Sequence, residues 1–96
     1  MTRFLVEVFA PRLAAVDLAA AEERARAAAE RVSGKDVAVR YLRATYVPED
    51  ETCFYLFDAP SAQLVAQATA DAGLGDGRIV EALERSTQRR GGSDGG

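Results

Sequence analysis

Within residues 3–9, Arg-Phe-Leu-Val-Glu-Val-Phe, every second residue from Phe4 to Val8 is apolar, while Arg3, Leu5, Glu7 and Phe9 between them are mixed. That period of two in a β-branched and aromatic run predicts a strand with Phe4, Val6 and Val8 on one side and the mixed set on the other, ended by Pro11. Residues 12–16 fit a loop or an irregular helical start. The period then lengthens. Leu18, Ala21, Ala25, Ala28, Ala29 and Val32 recur every three or four residues and predict a helix from an Asp17 N-cap to about Val32, with Gly34 as its left-handed stop. Glu22–Arg26 and Arg26–Glu30 form i,i+4 pairs on the wet side. An apolar stripe made mostly of alanine predicts close packing on a sheet.

The β-branched and aromatic runs at 37–47 and 52–58 read as two strands around the polar turn Pro48-Glu49-Asp50-Glu51, a hairpin. Ser61 caps a second helix to Ala72, with Leu64, Val65, Ala68 and Ala72 inward, and Gly73-Leu74 fits a Schellman stop. Residues 78–83 predict a last strand. From Ser86 the chain has no apolar residue and ends in Gly-Gly-Ser-Asp-Gly-Gly, so residues 86–96 read as a disordered, mobile tail on a domain of residues 1–85. Two βαβ halves joined by a hairpin give an α+β fold, the ferredoxin-like βαββαβ sandwich. Its four-stranded antiparallel sheet has the order 4-1-3-2 and both helices on one face.

The helices can cover only one side of that sheet. With Phe4, Val6, Val8, Phe54 and Leu56 assigned to the helix side, the open side carries Leu5, Glu7, Phe9, Cys53, Tyr55 and Phe57. A solvated face would read polar; this one is apolar around a single acid. A second copy packed sheet on sheet about a two-fold axis is the economical cover, so a homodimer is expected. Glu7 then needs a partner, because an unpaired carboxylate on an apolar face costs several kcal/mol. The candidates are Tyr41, Arg43, Tyr55 and Glu81. A five-residue hairpin turn places Tyr41 and Arg43 on the Glu7 side, and a four-residue turn places Leu42, Ala44 and Tyr46 there instead. Both registers stay open.

Composition narrows the function by exclusion. The 96 residues carry a net charge of −3, and eleven Arg and one Lys are interleaved with acids without a basic block, which argues against nucleic acid. Histidine is absent. That removes a Ser-His-Asp triad, a His-paired thiolate and the commonest transition-metal ligand together. Cys53 is the sole cysteine; it cannot form an internal disulfide and is expected to be buried and inert. The acid at Glu7 interrupts any leader-like apolar stretch, and no run approaches the roughly 20 apolar residues of a membrane helix. The expectation is a soluble cytoplasmic protein. The Glu49-Asp50-Glu51 turn reads as solvated, although a hard cation could use it. No Gly-rich phosphate loop is present.

The run from Tyr41 through Val47-Pro48-Glu49-Asp50-Glu51 to Phe57-Asp58-Ala59-Pro60 resembles the core of a small bacterial family of unknown function. Phe4-Leu5-Val6-Glu7, Ala72-Gly73-Leu74 and Arg78-Ile79-Val80-Glu81 fit it as well, so the resemblance covers about residues 3–84. It implies a dimeric ferredoxin-like protein, and an actinobacterial member of that family is described as nickel-binding. The family pattern has histidines at the place of Phe9 and near Ala68, which this chain lacks, and nickel favours imidazole over carboxylate. Glu7, Cys53, Tyr55 and Glu81 are the positions that match. A His-based site does not carry over, so the resemblance implies a homodimer whose metal ion, nickel being the family's example, would rest on Glu7 and Cys53, while the open-face reading offers a small-ligand site at Glu7, Tyr41, Arg43, Tyr55 and Glu81. Two alternatives stand beside it. One is a cofactor-independent enzyme of the dimeric α+β-barrel kind, a monooxygenase or isomerase with Glu7 or Tyr55 as acid or base. The other is a protein-interaction module.

Overall fold

The computed structural model describes residues 1–85; the expected tail at 86–96 lies outside the described residues. The elements follow in the predicted order: β1 (Thr2–Phe9), α1 (Ala15–Val32), β2 (Arg40–Val47), β3 (Thr52–Ala59), α2 (Ala62–Ala72) and β4 (Gly77–Glu81). The sheet order is β2-β3-β1-β4, all antiparallel, which is the predicted order read from the other edge.

The alanine stripe of α1 packs as expected, with Ala21, Ala25, Ala28 and Ala29 buried. Small side chains let the two helices lie close, and Arg24 Nε spans them to Ala72 O at 2.9 Å. The core fills with Phe4, Val6 and Val8 from β1, Val65 and Ala68 from α2, and Cys53, Tyr55 and Phe57 from β3. Helix α2 has both predicted caps. Ser61 Oγ accepts from Leu64 N at 3.4 Å. Gly73 sits at φ 66°, and the Leu74 N–H reaches Thr69 O at 3.2 Å, the long bond of a Schellman motif.

Helix α1 departs from expectation at both ends. It begins at Ala15 with Ala14 as N-cap, three residues early, and Asp17 lies inside its first turn, where its carboxylate accepts from Ala14 N at 3.4 Å. At the other end Gly34 is not left-handed. Ser33 makes the stop instead: its hydroxyl donates to Ala29 O at 2.8 Å and accepts from Val39 N at 2.9 Å. The wet-side pairs also differ. Arg26 joins Glu23 at 2.8 Å, because Glu22 is turned toward β2.

The phase of β3 is opposite to the one expected. Phe4 faces Phe57, Val6 faces Tyr55 and Val8 faces Cys53 across β1 and β3. Residues directly opposite share a face, so Cys53, Tyr55 and Phe57 belong to the helix side and are buried. Phe54 and Leu56 stand on the open side with Leu5, Glu7 and Phe9. Residues 53–57 are apolar on both sides, so alternation could not set the phase. The polar ends could have: Thr52 and Asp58 share the phase of Phe54 and Leu56.

The hairpin turn has four residues, 48–51, with Val47 opposite Thr52. A register shift between Tyr41 and Arg43 then places one extra residue, Leu42, in β2. Such a bulge reverses the alternation beyond it. Tyr41 pairs with Phe57 on the helix side, and Arg43 pairs with Leu56 on the open side. The turn is the four-residue one, yet Ala44 and Tyr46 face the helices because β3 has the opposite phase, and the bulge then separates Tyr41 from Arg43, which plain alternation keeps together.

Candidate functional site

The open sheet face is where chemistry-bearing side chains meet apolar ones. Reading across β2, β3, β1 and β4, its central rows are Arg43, Leu56, Leu5 and Val80, then Thr45, Phe54, Glu7 and Arg78. Phe9 ends β1 at 67% exposure. At the other end Arg3 stands opposite Asp58, and Asp58 opposite Arg40.

The carboxylates of this face are each held by an arginine. Asp58 accepts from Arg3 Nε and Nη2 at 2.8 and 3.0 Å, a two-pronged contact. Those bonds hold the Asp58 carboxyl below the usual carboxylate range and push the Arg3 guanidinium further up. Glu7 lies 3.8 Å from Arg78 Nη1. Glu84, on the segment after β4, bonds Arg3 Nη1 and lies 3.6 Å from Arg43 Nη2.

Of the five residues expected to hold a ligand, the structure brings Glu7 and Arg43 to this face, two strands and one row apart, about 12 Å between backbones. The other three are elsewhere. Tyr41 points under α1, where its hydroxyl donates to Glu22, its ring meets Phe57 edge-on at 5.3 Å, and Arg26 lies 5.8 Å above it. Glu22 also accepts from Ala44 N at 3.1 Å, so one carboxylate ties α1 to the bulged strand. Tyr55 is buried beside Cys53. Burial first, then the Cys53 contact, pushes its phenol up, as burial and the Glu22 bond do for Tyr41. Glu81 stands opposite Phe4, on the helix side of the outermost strand, and is exposed.

The expected metal pair does not form. Glu7 pairs with Phe54 and Cys53 with Val8, so the carboxylate and the thiol are on opposite sides of the sheet. Cys53 is buried, and burial pushes its thiol up, away from the thiolate a metal needs. Among the described residues no group of three or more Asp, Glu, Cys or His side chains could hold a metal ion. A groove of about 460 Å³ between α2 and the start of β4 is lined by small residues such as Ala66, Ala70 and Gly73, with Asp76 as its one charged group. No helix among the described residues is long and apolar enough to cross a membrane.

Sequence reasoning passed over Arg3, Asp58 and Glu84. Once β3 is phased from its polar ends, Asp58 falls opposite Arg3, and that pair becomes legible. Glu84 lies past the last paired residue of β4, in the phase of Arg78 and Val80, and reaches Arg3 and Arg43 on the same face.

No family model matches the chain, and no curated protein sequence does. The crystal structure of SCO4226 from Streptomyces coelicolor A3(2) is similar in fold, with a TM-score of 0.69 at 19% identity over 88% of this chain and 99% of that one. At that identity the likeness speaks for the fold, and the ferredoxin-like α+β architecture is common to both.

Proposed function

We propose that the domain works as a homodimer, packed open sheet face on open sheet face, and binds a small organic ligand between the two sheets. The observation that carries this reading is the composition of the open face. Leu5, Phe54, Leu56 and Val80 occupy its middle, where a strand face meant for water would alternate to polar. Both helices lie on the other side, and although Leu56 is buried within the chain, Leu5, Phe54 and Val80 stay part-exposed, a surface that a partner copy would cover. A two-fold copy brings the same apolar middle and the same flanking ion pairs.

The charged groups favour binding over the other chemistries considered. Asp58 and Glu84 are bonded to Arg3, and Glu7 lies 3.8 Å from Arg78, so an arginine stands beside each carboxylate of the face among the described residues, a setting that suits the binding of charged groups better than general-base or metal chemistry. The phenols that an acid–base enzyme would use, Tyr41 and Tyr55, face the helices.

Sedimentation velocity at tens of micromolar tests the assembly. A species of twice the 10.3 kDa chain mass is expected. Phe54→Lys, which sets a charge in the middle of the face and leaves the helix-side core alone, should return the monomer. A wild-type chain that sediments as a monomer refutes the assembly.

A further inference from the structure

The open face contains a seat for a carboxylate, and the chain fills it with its own Glu84. The last backbone bond before that point runs from Ala82 N to Arg3 O at 2.8 Å. Glu84 meets Arg3 from β1 and Arg43 from β2, and β3 lies between those strands. On β3 the residue opposite Arg43 is Leu56, which is 6% exposed although it points away from the helices. Beside the seat the face continues apolar through Leu5, Phe54 and Val80.

Three features make this a site as well as a surface ion pair. Arg3 is pre-aimed, because Asp58 grips its Nε and Nη2 and leaves Nη1 directed at the seat. Arg43, 62% exposed, completes the pair from the next strand but one. Asp58 offsets Arg3, and Arg40 stands on its far side, so with Arg43 the seat carries a net positive charge suited to a carboxylate. The present occupant is weakly held, because ion pairs between solvent-exposed side chains contribute little.

We propose that Arg3 and Arg43 bind the carboxylate of a small amphipathic monocarboxylic acid, whose apolar body lies along Leu5, Leu56 and Phe54. Glu84 is the built-in competitor that the ligand displaces. An internal competitor lowers apparent affinity by the fraction of time it holds the seat, so removing it strengthens binding. This assignment rests on the reading of the open face as a ligand face.

The test is an NMR titration of the ¹⁵N-labelled full chain with sodium 4-phenylbutyrate, using neutral 4-phenylbutanamide as the control. The acid should shift the amides of Leu5, Phe54 and Leu56. It should bind Glu84→Gln about five-fold more tightly than wild type. Adding Arg43→Gln to Glu84→Gln should abolish that gain, and the amide should bind none of the three. Both variants change exposed side chains, so their spectra report folding directly. Equal affinity in wild type and Glu84→Gln, equal binding of acid and amide, or indifference to Arg43→Gln each overturns the seat. Sedimentation of the same samples keeps the two readings apart. A dimer without ligand shifts refutes the seat alone, and a monomer with the expected shifts refutes the dimer alone.

Discussion

Gly77 opens β4, the strand that carries Arg78 and Val80 to the open face and then delivers Glu84. A Cβ at that position would lie 2.7 Å from Val6 Cγ1, 3.0 Å from Val8 Cγ2 and 3.3 Å from Glu7 O. Carbon atoms pack best near 3.5–4.0 Å, so Gly77→Ala cannot be accommodated without movement. The obstructing atoms are not free to yield. Val6 and Val8 are buried, and β-branched side chains have one strongly preferred rotamer. Overpacking of this kind costs about 1–3 kcal/mol. Replacing glycine also restricts the unfolded chain, which returns about 0.4–1 kcal/mol. The net expectation is a loss of about 1–2 kcal/mol. At about 4–8 °C per kcal/mol for a domain of this size, the thermal midpoint should fall by about 5–15 °C. Gly34→Ala is the internal control. Nothing lies within 4 Å of its added carbon, and its backbone is not left-handed, so that change should stabilise by about 0.4–1 kcal/mol. Thermal unfolding by circular dichroism, with urea midpoints as a second measure, separates the two. If Gly77→Ala unfolds at or above the wild-type midpoint, the close approach of β4 to β1 is wrong.

Alkali should destabilise the fold. Tyr41, Tyr55 and Cys53 all have their acid groups pushed up by burial, so the folded chain keeps protons that the unfolded chain releases from about pH 8.5 for the thiol and about pH 10 for the phenols. Stability from these groups is complete below that range and falls as pH rises through it, and a urea midpoint that is flat or rising from pH 8 to 11 contradicts the burial of all three. Asp58, held down by Arg3, acts at the acid end: its contribution is present above about pH 4 and is lost as pH falls. Arg12 and Glu51 adopt left-handed backbone at φ 58° and 50°, which costs an L-residue about 1–2 kcal/mol. Arg12→Gly and Glu51→Gly should each raise the thermal midpoint by a few degrees even though glycine loosens the unfolded chain, and a lowered midpoint would show that the side chain matters more than the backbone there.

The sequence predicts what depends on local chemistry. The order of elements, the order of strands and both caps of α2 follow from residues within a turn or two of each other: Ser61, Gly73 and Leu74 carry their positions in their own side chains. What it misplaces depends on distant partners. Gly34 looks like a helix stop, yet Ser33 does that work because Val39 offers it an N–H from the next strand. Asp17 looks like an N-cap but acts from within the first turn. Strand β3 is apolar on both sides from Cys53 to Phe57, and in such a strand the phase is decided by which neighbours pair with it. Placing Tyr55 and Cys53 on the open face, and with them a third of the expected site, followed from that one ambiguity.

The bulge at Leu42 has the largest consequence for the site. In an unbroken strand, residues 41 and 43 point the same way. Tyr41 and Arg43 would then both enter the core, where a guanidinium has no partner, or both stand on the open face, where the phenol loses Glu22 and the edge of Phe57. One extra residue resolves the conflict. It sends the ring under α1, where Glu22 bonds both its hydroxyl and the Ala44 N–H just past the bulge, and it sends the guanidinium to the Glu84 carboxylate. Bulges re-aim side chains in this way near functional sites. Here the same local feature anchors the edge strand to its helix and supplies the second arginine of the seat. A substitution that straightens β2 would therefore be felt on both sides of the sheet at once, as a loss of the Tyr41–Glu22 anchor and as a seat left with Arg3 alone.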